Sequence, residues 1–246
     1  MFPLIHFYIN KQLVSKPSPL LVLGGMWPDM SAACGMDRNF SHQMGPNFLT
    51  FCREKHPQAA DLALGILFHG STPMGVDFYA DEWWEHGCKG WCFQKAVPYI
   101  SAVAEVTGLP DDFLWWKSHN LVEIALELLT NEIHPEISTE LVSLIANAEE
   151  QLTAARILNE YHTLDMEKTL QILANIKNLF IIENVSAETL AKNQMEGMKR
   201  RFGLDVNQTE LEKIITRIKF DLRSEYEKIT TSIERKIRTE IGRQKI

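Results

Sequence analysis

His119 and Glu123 stand four residues apart in the segment Lys117-Ser118-His119-Asn120-Leu121-Val122-Glu123-Ile124-Ala125-Leu126-Glu127-Leu128-Leu129, and Glu127 continues the same line. On a helix, residues at i and i+4 lie one above the other. An imidazole and a carboxylate so placed can converge on one cation. Apolar side chains crowd both flanks of this stripe. An unpaired charge on a buried helix is very costly, and a metal ion is one partner that removes the cost. A narrow solvent-facing stripe is the plain alternative, and this helix alone does not separate the two.

The other histidines favour the metal. His69 closes an apolar helix spanning Gln58 to Phe68, immediately before Gly70. Taken singly it reads as a helix-end histidine facing the dipole. His42 lies in the loop-like stretch Asn39-Phe40-Ser41-His42-Gln43, and Asp29 follows Trp27-Pro28 at a turn. Asp77, Asp81, Glu82 and His86 crowd a segment that also holds Phe78, Tyr79, Trp83 and Trp84, and His6 sits on an apolar N-terminal helix. No one of these is specific. Together they set five histidines and several carboxylates in apolar or aromatic sequence. Trp27, Trp83, Trp84, Trp91, Trp115 and Trp116 lie near the same positions and could wall a cleft that excludes water. For most of them core packing is the simpler role. His56, His134 and His162 stand beside polar residues or proline and read as surface groups.

The order of these residues resembles the bacterial zinc-dependent phospholipase C family, whose all-helical fold the single-strand-specific zinc nucleases share. The resemblance covers residues 1–135. It runs through His6, Gly24-x-x-x-Pro28-Asp29, His42, the helix-ending His69, an aspartate soon after, His86, and His119-x-x-x-Glu123. Gly-x-x-x-Pro-Asp and His-x-x-x-Glu are its sharp motifs; the rest is order and spacing. After His69 the chain departs from the family: position 73, where the family carries an aspartate, is Pro, and Asp77 comes eight residues on. The resemblance implies one to three zinc ions, or another divalent metal. Asp29, His42, His69 and either Asp77 or Asp81 would hold one ion. His119 and Glu123, with His86 as a further candidate, would hold a second. His6 would contribute to a third that shares the aspartate of the first. The implied activity is hydrolysis of a small phosphoester or a phospholipid by metal-activated water, with Asp29 as the catalytic residue that orients it. The alternative is a non-catalytic metal-binding helical protein with an interaction helix at its C-terminus.

Helices must position these groups, and strand signals are weak throughout. The patterning predicts a first helix within Phe2 to Lys16, ended by Pro17-Ser18-Pro19. Leu20 to Leu23 is a short apolar run compatible with strand or buried helix, and Leu23 to Asp29 reads as a turn leaving it. Tyr79 to Thr107 holds one or two helices, with Pro98 as a kink or break, and Trp115 to Thr130 is a strongly apolar helix. Further helices follow at about Thr139 to Tyr161, Met166 to Ile182, Ala187 to Arg201 and Gln208 to Ile241. The last starts at an Asn207/Glu210 capping box. It carries Leu211, Ile214, Ile215, Ile218, Leu222, Tyr226, Ile229, Ile233 and Ile237 as one seam along about 50 Å at ~1.5 Å per residue. The seam packs along the body, with a homodimer contact as the alternative. The expectation is an all-α fold: a multi-helix core like that of the phospholipase C and nuclease family in residues 1–135, and a helical extension, 136–246, ending in a long helix. Residues beyond about 140 show no ligand-like arrangement.

The chain has 246 residues, 45% of them apolar and 23% charged, with a net charge of −7. That composition suits a globular protein rather than a disordered one. There is no basic excess and so no strong nucleic-acid signal. The N-terminus lacks the pattern of a signal peptide, and no apolar run is long enough for a transmembrane helix. A cytoplasmic location is expected, with Cys34, Cys52, Cys88 and Cys92 as reduced thiols. Cys88 and Cys92 read as small buried residues rather than metal ligands.

Overall fold

Six helix starts can be traced to the residue just before them. Ser18 accepts a hydrogen bond from the Leu21 amide and Pro19 takes the first helical position, where its missing N–H costs nothing. Asp37, Asn147, Asp165 and Asn207 cap in the same way, and Ser186 with Thr189 forms a reciprocal capping box. Gly108 and Gly203 end their helices in the left-handed conformation, which glycine adopts without steric penalty.

The computed structural model describes residues 2–72, 75–85 and 89–244. It is all-α, with no β-strand among the described residues. In chain order the helices are α1 (Pro3–Leu13), α2 (Pro19–Met30), α3 (Arg38–Gln43), α4 (Gly45–Lys55), α5 (Ala60–His69), α6 (Trp91–Ala96), α7 (Ile100–Thr107) and α8 (Asp111–Ile133). There follow α9 (Glu136–Ile145), α10 (Ala148–His162), α11 (Met166–Ala174), α12 (Ile176–Leu179), α13 (Ala187–Phe202), α14 (Gln208–Leu222) and α15 (Tyr226–Gln244). A single π-helical turn, Phe78–Glu82, lies between α5 and α6.

Several sequence expectations are corrected. Leu20 to Leu23 takes the helical one of its two readings, and Leu23 to Asp29 is not a turn but continues that helix as the body of α2. Gly24 of α2 and Gly65 of α5 are there because the two helices lie almost backbone to backbone. A Cβ on Gly24 would come 2.0 Å from the Leu62 carbonyl oxygen, and one on Gly65 would come 2.0 Å from that of Leu21. The glycines serve helix packing, not chain reversal. His42 lies on the short helix α3 rather than in a loop. The stretch expected as one helix from Thr139 to Tyr161 is divided at Asn147, which caps α10.

The C-terminal run is long and helical, as expected, with one 3₁₀ turn at Arg223–Glu225 between α14 and α15. Its apolar seam, Leu211 through Ile237, is buried within this one chain. There α14 packs on α8 and α13, and α15 packs on α1. Buried apolar residues from Phe2 to Ile237 form one core cluster. No helix of the described residues is long and apolar enough to cross a membrane.

Candidate metal centre

Five helices and one turn deliver the ligand-type side chains. The last turn of α2 brings Asp29, α3 brings His42, and the C-terminal end of α5 brings His69. The π-turn brings Asp81, with Asp77 just before it; α1 and α8 bring His6, His119 and Glu123. These groups form three triads: His6 with His69 and Asp77, Asp29 with His42 and His69, and Asp81 with His119 and Glu123. Within each, one ligand atom per residue lies within 4.8 Å of the others. The first two triads share His69.

Asp77 and Asp81 each fall in a triad, Asp77 with His6 and His69 and Asp81 with His119 and Glu123. Asp77 divides its two oxygens. Oδ1 lies 3.2 Å from His6 Nε2, while Oδ2 lies 3.4 Å from both His42 Nε2 and His69 Nε2. Asp29 faces His42 Nε2 at 3.5 Å and His69 Nε2 at 3.9 Å. Asp81 and Glu123 each stand 3.7 Å from His119 Nε2. Glu82 is exposed and joins no triad. His86 lies outside the described residues. Among the tryptophans, Trp27, Trp84 and Trp91 are core residues, and only Trp116 lines the cleft above the triads. His56, His134 and His162 are not buried, as expected.

The donor set fits a divalent metal. His42 Nδ1 lies 2.8 Å from the Arg38 carbonyl oxygen and His69 Nδ1 lies 2.7 Å from that of Gly25. A carbonyl only accepts, so each Nδ1 carries the hydrogen and each Nε2 faces the carboxylates. This fixing of a ligand's ring by a second hydrogen bond is the usual support of metal-binding histidines. Both Nε2 atoms are buried without a hydrogen-bond partner, as is Asp81 Oδ1. The nitrogen–oxygen separations of 3.2–3.9 Å are long for hydrogen bonds. They approach the edge of a zinc tetrahedron, about 3.3 Å for bonds of ~2.0–2.1 Å.

The electrostatics point the same way. Burial and the neighbouring carboxylates push Asp81 well above the ordinary aspartate range. Burial, with Asp77 and Asp29 nearby, raises Glu123 to about 8. Burial brings His119 down to about 3 and, with His69 beside it, lowers His6. At the third triad the neutral His119 imidazole therefore faces carboxylates that resist ionising, an arrangement a cation relieves. Against its burial, Asp77 is held far below the ordinary range by His69 and His6, and Asp29 is held low by nearby positive charge, to which His69 and His42 add, while His69 is raised. Without a metal, a proton on His69 does part of the cation's work.

Above the triads opens a cleft of about 560 Å³. Asp29, Asp77, Asp81, His119 and Glu123 line it, together with Arg38, Lys117, Arg201 and Phe202. The sequence had not marked these last four. Burial, with Arg201 nearby, lowers Lys117 to about 8. The basic end of α13, Lys199-Arg200-Arg201, was the visible signal, but its direction was not. Glu127 is the other addition. Its two oxygens accept hydrogen bonds from the Leu4 and Ile5 amides at 2.9 and 3.0 Å, so α8 holds the start of the helix that carries His6. Burial raises Glu127 to about 7. Among known proteins, no family model, no curated protein and no solved structure matches this chain.

Proposed function

We propose that this protein is a metal-dependent phosphoester hydrolase, with zinc as the first candidate metal, built on the plan of the zinc-dependent phospholipase C and single-strand nuclease family. One observation carries the reading. The buried Nε2 atoms of His42 and His69 have no hydrogen-bond partner and face Asp29 and Asp77 beside an open cleft of about 560 Å³. A structural metal site is closed by protein ligands, whereas a catalytic one keeps an open position. In this reading residues 1–135 carry the ligands and 136–246 pack against them as a helical extension.

His6, Asp29, His42, His69 and Asp77 would hold metal on one side of the cleft, and Asp81, His119 and Glu123 on the other. When bound, divalent ions supply Lewis acidity toward a phosphoryl oxygen and a water nucleophile near neutral pH. Asp77 ties His6, His42 and His69 into one unit. Asp29 is the least buried of these carboxylates and is held below the ordinary range. A carboxylate that acidic takes a hydrogen bond more readily than a proton. Its role is therefore to orient the attacking water. The substrate is a small phosphoester or a phospholipid.

The test pairs zinc stoichiometry with hydrolysis of a generic phosphodiester. Asp29→Asn keeps most of the metal and loses about 10²-fold or more in rate, the loss typical of removing a group that handles the nucleophile's proton. Metal and activity falling together reduce Asp29 to a ligand. Full metal with no turnover on any phosphoester gives the protein the alternative role of a non-catalytic metal binder.

A further inference from the structure

We propose that the cleft holds a second anion subsite, built by Arg38, Lys117 and Arg201, and that its substrate is a phosphoester bearing a second anionic group. The proposal rests on the phosphoesterase reading above and names the substrate class for that site. The three cations come from separate elements: Arg38 opens α3, Lys117 lies on α8 two residues before His119, and Arg201 stands in the last turn of α13. All three line the cleft that the metal-type ligands line. Phe113 of α8 and Phe202 of α13, with ring centroids 5.0 Å apart, hold the two helix ends together there.

Their partners are neutral. Lys117 Nζ donates to Gln194 Oε1 at 2.8 Å. The Arg38 guanidinium lies 5.8 Å from the Trp116 ring centre and that of Arg201 lies 5.5 Å from Phe202. Aromatic support steadies a guanidinium plane while leaving its forked N–H donors for an anion. The charges then favour a multiply charged substrate. Two divalent ions would balance the four carboxylates of the triads, Asp29, Asp77, Asp81 and Glu123. Three side-chain cations remain in the cleft of a chain whose net charge is −7. A phosphodiester brings one negative charge and leaves an excess. A phosphate ester with a further phosphate or carboxylate brings that excess close to zero and offers an arginine fork its planar partner. A choline-type head group would instead set a fourth cation beside the other three.

Calorimetry on the zinc-loaded full chain at fixed ionic strength tests this with three small phosphate monoesters. They are 3-phosphoglycerate, with a carboxylate as its second anionic group; glycerol 3-phosphate, without one; and phosphocholine, with a cation instead. The expected order of affinity is the order just given, with about tenfold between the first two, the value of one charge-assisted contact. Arg201→Ala, at an exposed position, erases that preference and leaves zinc content unchanged; Arg38→Ala does the same. Equal binding of 3-phosphoglycerate and glycerol 3-phosphate, or a preference that survives both substitutions, overturns the subsite while the metal centre stands. Failure of the protein to take up zinc under any loading condition overturns the phosphoesterase reading, and the subsite with it.

Discussion

Asp77 is the residue on which the cluster turns, because each of its oxygens faces a different histidine set. Asp77→Asn is expected to lower metal content at His6 and at His42/His69 together, whereas Glu123→Gln affects the His119 group alone. Zinc stoichiometry by elemental analysis distinguishes the two patterns, and equal losses in both variants contradict it. Glu123 and Glu127 also set a pH dependence. Their folded values of about 8 and about 7 lie above the ordinary 4.5. The folded ion-free protein therefore keeps protons that the unfolded chain releases. The stability these two groups contribute is lost as pH rises from about 4.5 to about 8, opposed up to about pH 6.5 by His119, lowered to about 3, and by His6. Asp29 and Asp77, depressed, act in the opposite sense, and their contribution is lost only below about pH 4. Zinc must displace the retained proton on Glu123, so its affinity rises to about pH 8. Chelator competition at pH 6, 7, 8 and 9 reads this, and the rise is shallower in Glu123→Gln. The His119/Glu123 pair was legible because helical spacing alone places both on one face. The partnership of Asp77 with His6 was not, since sequence separation says nothing about which distant histidine a turn will meet.

At the scale of elements, the close approach of α2 to α5 positions two triads at once. It brings Asp29 near His69, and it gives His69 Nδ1 the Gly25 carbonyl. Gly65→Ala would force a methyl to within 2.0 Å of a backbone oxygen. The expected cost is about 3 kcal/mol, at the upper end for overpacking, read as a lower denaturant midpoint, with a parallel loss of zinc. A stability unchanged by the substitution would mean that the helices are not so close. Here the sequence pointed the wrong way for a physical reason. A Gly-Gly pair serves a turn through its backbone freedom and a helix crossing through its missing Cβ, and only the partner helix decides which. His42 shows the same limit. Six residues of α3 are too short for a helical period to declare itself, and Asp37 capping Phe40 was the one local clue.

For the whole molecule, the helical class and the long C-terminal run were readable because the seam from Leu211 to Ile237 repeats every three or four residues. What that seam faces was not readable, since an apolar stripe fits a dimer partner as well as its own core. It is buried inside the chain, and α15 comes behind the metal-type ligands: Ile229 and Ile233 border a small space with His6 and Glu123. Tyr226 adds a hydrogen bond to Thr130 of α8 at 3.0 Å. A chain ending at residue 222 is therefore expected to be less stable and to retain less zinc than the full chain, although no ligand has been removed. Thermal unfolding and elemental analysis of the truncated protein check this. Full zinc retention would show that the C-terminal helices only cover the centre.

The grip of Glu127 on the Leu4 and Ile5 amides spans more than 120 residues of chain. During synthesis α1 must wait for α8, several seconds or more at roughly 5–20 residues per second. Until then α1 lacks the seat that α8 gives it, although His69 and Asp77, the neighbours of His6, are already made. Closing so long a loop carries its entropic cost before any contact repays it, and the expectation is that the ligands assemble late, after the rate-limiting barrier. A metal that binds only the finished arrangement cannot hasten its formation; it can only delay its loss. Refolding is expected to proceed at the same rate in zinc as in chelator, while unfolding slows with zinc. A refolding rate that rises with zinc would place the metal in the folding nucleus instead.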